Sequence, residues 1–209
     1  PASIKRNGVV GAGGAGFPSY AKLLRPAEVV VVNAAECEPL MHKDKEILKH
    51  FAVQVLEGLQ SVRNIVGAQE GIVGIKEKYV EIIAELKTLM DPSVRIHPLG
   101  DYYPTGDEFI LVKETTGRII PPGGLALDGG VVVCNVETLW NIGRQEPVLE
   151  KFLTVAGSVA HPCTVRVPIG TSYEEALAMA GGATVRPYSL LIGGPMMGFL
   201  EPDSSRPIT

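Results

Sequence analysis

Three short runs in this chain are apolar on both faces: Glu28–Asn33, which is almost all valine, Gly71–Ile75 and Val131–Cys134. A strand with one wet face alternates apolar and polar residues, so an unbroken valine run belongs inside a sheet covered on both sides. Between the first two runs, Ile47, Leu48, Phe51, Val55, Leu59, Val62 and Val66 recur by threes and fours, which predicts a long amphipathic helix. Tyr79, Ile82, Ile83, Leu86 and Leu89 form a second helical face, stopped by Asp91-Pro92, and Val94–Leu99 follows as another strand. A helix over Val136–Ile142 follows the last valine run. Strands alternating with helices imply an α/β fold, a Rossmann-like parallel sheet with right-handed crossovers.

The pattern changes near Gln145-Glu146-Pro147. Beyond it the predicted elements are short: a strand over Phe152–Val155, a turn at Gly157-Ser158, a strand over Cys163–Val167, a helix over Tyr173–Ala180 and a strand at Leu190–Ile192. This reads as a small α+β module, and the boundary is placed so that residues 1–148 form the first domain and 149–209 the second. The chain opens on Pro1, ten residues before a glycine-rich loop, and stops at Arg206-Pro207-Ile208-Thr209 without a closing element, so it reads as a fragment.

Composition excludes several function classes. The net charge of -4 gives no electrostatic reason to expect nucleic acid or an anionic membrane as partner. No apolar run approaches the roughly 20 residues that span a bilayer, and no signal-peptide pattern opens the chain. Cys37, Cys134 and Cys163 are odd in number and widely spaced, which argues against a disulfide framework and against a metal or cluster site built by this chain alone. The four histidines form no ligand pattern. A cytoplasmic setting is the simplest expectation.

Chemistry concentrates in four places. In Gly11-Ala12-Gly13-Gly14-Ala15-Gly16-Phe17-Pro18 four glycines bare the backbone, so that N–H groups can approach an anion, and Lys22 follows with a full charge. Neither the Gly-Lys-Ser/Thr ending of an NTPase loop nor the strand that should precede a dinucleotide fingerprint is evident, because Ile4–Val10 is short and ambiguous. A tight packing turn fits this loop as well as a binding loop does. Asn33, Glu36 and Glu38 end the first valine strand, where open α/β sheets bind ligands. The two carboxylates would share a face if the strand continued, and Cys37 between them suits a buried filler better than a nucleophile.

In Tyr102-Tyr103-Pro104-Thr105-Gly106-Asp107-Glu108, Thr105 or Asp107 suits a helix cap, with Glu108 in the first turn, or a ribose contact. Pro121-Pro122-Gly123-Gly124 is expected as a rigid loop near the same edge, and Asn135 supplies a further amide at a strand end. Four clusters at successive strand ends favour a cofactor site over four unrelated loops.

These residues, together with Asp44 and Asn135-Val136-Glu137-Thr138-Leu139, resemble the flavin-binding subunit of respiratory complex I and its relatives. Within that group the resemblance runs toward the Rnf complex C subunit and the soluble cobalamin-reductase and proline-reductase-associated electron-transfer branch. It covers about residues 8–145. Val167-Pro168-Ile169-Gly170-Thr171 and Gly193-Gly194-Pro195-Met196-Met197-Gly198 resemble the β-grasp, soluble-ligand-binding domain that follows in that family.

The resemblance implies non-covalent FMN that accepts a hydride from NADH and releases electrons singly to [4Fe-4S] clusters outside this chain. It also implies a redox partner subunit or carrier, and a place that can be peripheral to a membrane complex. It places Gly11, Gly13, Gly14, Gly16 and Lys22 at the phosphate and ribityl region, and Asn33, Glu36 and Asn135 near the flavin. Phe17, Glu38 and Glu108 fall toward NADH. Ala12 stands where complex I has arginine and Ala35 where it has aspartate, and Leu23-Leu24-Arg25 lacks the aromatic found there after the lysine. Two of these departures, Ala12 and the missing aromatic, bear on the NADH side. The alternative from another class is a non-catalytic docking subunit whose core binds a nucleotide or nothing.

Overall fold

A computed structural model describes residues 1–209. Two short helices, α1 (Ala2–Arg6) and α2 (Ser19–Lys22), flank the glycine loop. Then follow β1 (Val29–Ala34), α3 (Lys43–Val66), β2 (Glu70–Lys76), α4 (Val80–Leu89) and β3 (Val94–Leu99). Helix α5 (Glu108–Thr116), a 3-10 turn at Ala126–Gly129, β4 (Val131–Asn135) and α6 (Val136–Arg144) complete this half. The four strands form one parallel sheet in the order β3-β2-β1-β4. The chain therefore winds outward from β1 to β3 and then returns to the other side of β1.

The valine runs are buried as their composition requires. Val30 and Val32 pack with Leu48, Val55 and Leu59 of α3 and Leu139 and Trp140 of α6, while Val29 and Val31 pack with Leu111 and Val112 of α5. Two glycines bring α3 and α6 together: a Cβ on Gly58 would lie 2.0 Å from the Leu139 carbonyl oxygen, and one on Gly143 would lie 2.0 Å from that of Gln54. The helices thus meet backbone to backbone between Gln54–Gly58 and Leu139–Gly143, while a break at Phe51 (φ -138°) separates this contact from the start of α3, which Lys43 and Asp44 tie to Glu137 and Asn135.

The second half holds β5 (Glu150–Val155) and β6 (Cys163–Pro168), an antiparallel pair, then α7 (Tyr173–Met179) and an antiparallel hairpin of β7 (Leu190–Ile192) and β8 (Phe199–Glu201). Helix α7 starts in a capping box between Ser172 and Glu175. This half has its own small core of Val167, Ala176 and Ile208. It joins the first half through edge-to-face packing of Phe152 on Trp140, with ring centroids 4.9 Å apart, and through the Arg144 guanidinium donating to Glu150 at 3.4 Å.

At four places the structure settles or corrects the reading of the sequence. Ile4–Val10 is helix α1 and a connection whose Val10 bridges Pro18, so the glycine loop follows no strand. The last residues are not loose: Ile208 is buried and Pro207 bridges Ser172. Strand β8 is unanticipated because its exposed Phe199 and Leu200 carry no alternation in a run of three. The Pro121–Gly124 turn lies in the chain between Arg118, which bonds Glu28 and the Gly129 carbonyl, and the 3-10 turn entering β4. Those partners mark the amino end of the sheet, opposite the strand ends that carry the other clusters.

Candidate functional site

The chain reverses direction between β1 and β4, and the carboxyl ends of strands at such a switch point are where open α/β sheets receive ligands. Asn33 and Asn135 are register partners there. Asn33 Nδ2 donates to the Gly106 carbonyl at 2.8 Å, and its Oδ1 accepts from Ala35 N–H at 3.2 Å. Asn135 caps α6 by accepting from Glu137 N–H at 2.9 Å, and its Nδ2 donates to Asp44 at 2.7 Å. Both amides are thus held by fixed partners on neighbouring segments.

The glycine loop lies over this point. Its base is closed by Gly11 N–H donating to the Phe17 carbonyl (2.7 Å) and by the Val10–Pro18 bridge. Ala12 N–H donates to Thr138 Oγ1 at 2.9 Å, and a Cβ on Gly13 would touch Asn135 Cβ at 3.5 Å. Gly14 and Gly16 have φ of 110° and 62°, which favours glycine at both. The N–H groups of Gly13, Gly14 and Ala15 find no acceptor in the protein, and all three residues are exposed. Lys22 Nζ sits 3.3 Å from the Val133 carbonyl and 3.6 Å from the Glu108 carboxylate, so Lys22 and Glu108 share one place. Asp107 rather than Thr105 caps α5, accepting from Phe109 and Ile110 N–H. Thr105 is fully buried, and its hydroxyl has no partner. Phe17 remains 47% exposed beside the loop.

Beneath the loop is a buried charge cluster. Lys43 Nζ holds the Ala12 carbonyl at 2.9 Å, Glu137 at 2.8 Å and Asp44 at 3.5 Å. Glu137 is 1% exposed, and its other oxygen accepts from Phe152 N–H at 3.0 Å. Glu36 turns inward and accepts from Asp44 N–H at 3.1 Å. Three carboxylates therefore face one ammonium. Burial alone would lower the lysine, but Asp44 and Glu137 more than reverse this and hold Lys43 above its ordinary value. Burial pushes the Glu36 carboxyl up to about 8, with the Asp44 charge adding to it. Asp44 is raised as well, by burial against the pull of Lys43. A proton retained on Glu36 relieves the excess negative charge.

That proton has a measurable consequence. Between the ordinary carboxylate value of 4.5 and about 8 the folded protein holds it and the unfolded chain has lost it. Stability from this group is therefore full below the lower value and falls as pH rises through the upper one. Thermal denaturation from pH 5 to pH 9 should show wild type losing about 2–4 kcal/mol relative to Glu36→Gln, which mimics the protonated form. Parallel curves for the two proteins would contradict the buried, protonated assignment.

Glu36 and Glu38 do not share a face, because β1 ends at Ala34 and the chain turns. Glu38 leaves the cluster, and its two oxygens accept from Met196 N–H (2.9 Å) and Met197 N–H (2.7 Å) of the second half. Cys37 is half-buried, while Cys134 is buried and its thiol is pushed up to about 11 by burial. No group of His, Cys, Asp and Glu could hold a metal. Lys43 escapes sequence reading, since a lysine opening a helix resembles any solvated charge. Asp44, Glu137 and Thr138 stand out only as motif neighbours, and nothing in their spacing gives them partners.

Comparison with known proteins identifies the two modules. Residues 4–144 match the Nuo51 FMN-binding domain, and residues 152–200 match the SLBB domain. The chain is 45% identical to cobalamin reductase PduS of Salmonella typhimurium over 210 residues, which is 99% of this chain and 47% of the relative. It is 42% identical to the C subunit of the ion-translocating oxidoreductase complex of Pseudomonas aeruginosa, covering 98% of this chain and 28% of that one. The C subunit of the proton-translocating ferredoxin:NAD(+) oxidoreductase complex of Clostridium ljungdahlii is 34% identical, covering 98% and 47%. The chain thus spans half the length of these curated relatives or less. The fold is shared with a chain of an NAD+-reducing [NiFe]-hydrogenase in its air-oxidised state, with a TM-score of 0.83, 24% identity, and coverage of 99% of this chain and 43% of that one. With its glycine loop, paired strand-end asparagines and following small module, the chain belongs to the Nuo51 FMN-binding domain family, joined here to an SLBB domain.

Proposed function

We propose that this chain is an electron-transfer flavoprotein module that binds FMN without a covalent link and takes reducing equivalents from NADH. The observation that carries the reading is the row of Gly13, Gly14 and Ala15 N–H groups without a protein acceptor, in the loop seated on Asn135 and Thr138, with Lys22 at the Val133 carbonyl of the same strand. Backbone N–H groups in such a concavity, with a cation alongside, suit a phosphate. The orphaned Thr105 hydroxyl supplies a further buried polar atom in the loop after β3. Bound FMN would supply hydride acceptance and one-electron release.

This chain's own residues bind and orient. Gly11, Gly13, Gly14, Gly16 and Lys22 hold the phosphate and ribityl chain. Asn33, Glu36 and Asn135 would meet the polar edge of the ring. Phe17, exposed beside the loop, and Glu108, next to Lys22, would lie toward NADH. Glu38 belongs to that side by sequence resemblance, although both of its oxygens are occupied here. The three cysteines here are dispersed, so [4Fe-4S] clusters that would take electrons from bound FMN would have to be held outside this chain. No helix is long and apolar enough to cross a membrane, and we place the module in the cytoplasm, peripheral to any membrane complex. The domain division stays at residue 148.

Lys22→Met should weaken FMN binding about tenfold, the value of one charge-assisted phosphate contact, without loss of fold. The FMN-loaded chain mixed anaerobically with NADH should lose its absorbance near the flavin maximum. Persistence of that band would leave FMN binding intact and remove NADH as donor. Failure to bind FMN at all would leave the docking-subunit reading.

A further inference from the structure

Three hydrogen-bonded links join the small second module to the candidate cofactor site. Phe152 N–H donates to Glu137 at 3.0 Å, His42 N–H donates to Thr154 Oγ1 at 3.1 Å, and Glu38 accepts from Met196 and Met197. The last is the most specific. Gly194 has φ of 96°, and a Cβ there would lie 2.4 Å from Glu38 Oε2. A Cβ on Gly198 would lie 2.2 Å from the Gly194 carbonyl oxygen, whose acceptor role toward Gly198 N–H closes the turn. Only glycine lets this turn shut around the carboxylate, and its successive N–H groups form an anion-holding concavity.

Glu38 stands two residues after Glu36, whose carboxylate is fixed by Asp44 N–H in the buried cluster. The connection from β1 to α3 is thus pinned at Glu36 in the floor of the first module and at Glu38 by the second. Resting on the FMN reading above, we propose that the second module is a positioning element of the flavin site, acting through the grip of the Gly193–Gly198 turn on Glu38.

Glu38→Gln presents an amide NH2 to one of the two N–H donors and breaks half of the grip. Gly194→Ala breaks it from the other side, with no residue of the first module altered. In FMN fluorescence titrations each variant should raise Kd about tenfold, and the double variant should be no weaker than the weaker single one. The visible circular dichroism of bound flavin should change in both, while the near-ultraviolet signal of Trp140 and the melting temperature of the core stay at wild-type values. A merely structural contact would shift the melt and leave the flavin signal alone.

Glu38→Gln with wild-type Kd and wild-type flavin dichroism overturns the proposal. Should wild type bind no FMN, the flavin reading fails separately. Amide exchange over residues 36–44 then decides the positioning role: faster exchange in both variants sustains it, and unchanged exchange overturns it.

Discussion

Replacing Lys43 with methionine should cost the fold about 3–5 kcal/mol, because it leaves buried carboxylates without their counter-charge. The ammonium contacts Glu137, Asp44 and the Ala12 carbonyl, and its side chain is 10% exposed. Water cannot take over those contacts. The loss should shrink at low pH, since Asp44 and Glu36 already tend to hold protons and would take them up fully. Urea denaturation at pH 5 and pH 8 checks both parts: a large deficit at pH 8 that narrows at pH 5. A deficit below about 1 kcal/mol at pH 8 would mean that the cluster is hydrated like a surface pair. FMN affinity should fall as well, because Lys43 anchors the loop at Ala12.

The second large effect concerns the crossing of α3 and α6. Gly58→Ala and Gly143→Ala would each favour the helix by about 1 kcal/mol on propensity alone. Packing opposes this, since each new methyl would lie 2.0 Å from a backbone carbonyl oxygen of the facing helix. Backbone cannot move aside as a flexible side chain can, so the net effect should be destabilising by about 3 kcal/mol or more. In a chain of this size that corresponds to a melting temperature lower by roughly 6–12 °C. The site should suffer less, because Lys43 and Asp44 lie beyond the break at Phe51 and reach Glu137 and Asn135 through their own bonds. A neutral or stabilising alanine would show that the helices are not in backbone contact.

Much of this architecture is legible because the core is repetitive. Val29–Val32 and Val131–Val133 announce a two-sided sheet, and the spacing from Ile47 to Val66 announces the covering helix. What escapes has a common physical character. Strand β8 and helix α2 are too short to show a period. Glu36 and Glu38, two residues apart, point to different modules only because the strand ends at Ala34, and no local signal separates a strand's last residue from its continuation. The cluster under the glycine loop joins residues up to 94 positions apart. Charge balance in a buried site is set by such partners, so a lone Lys43 or Glu137 reads as a solvated side chain until its neighbours are in place.

The proposed function depends on FMN binding at the carboxyl ends of β1 and β4, beside the glycine loop. The decisive experiment titrates the purified, flavin-free chain with FMN while following flavin fluorescence. Saturable quenching at one FMN per chain is expected, with affinity reduced by Lys22→Met. Fluorescence that tracks free FMN throughout, or quenching indifferent to Lys22, would overturn the assignment.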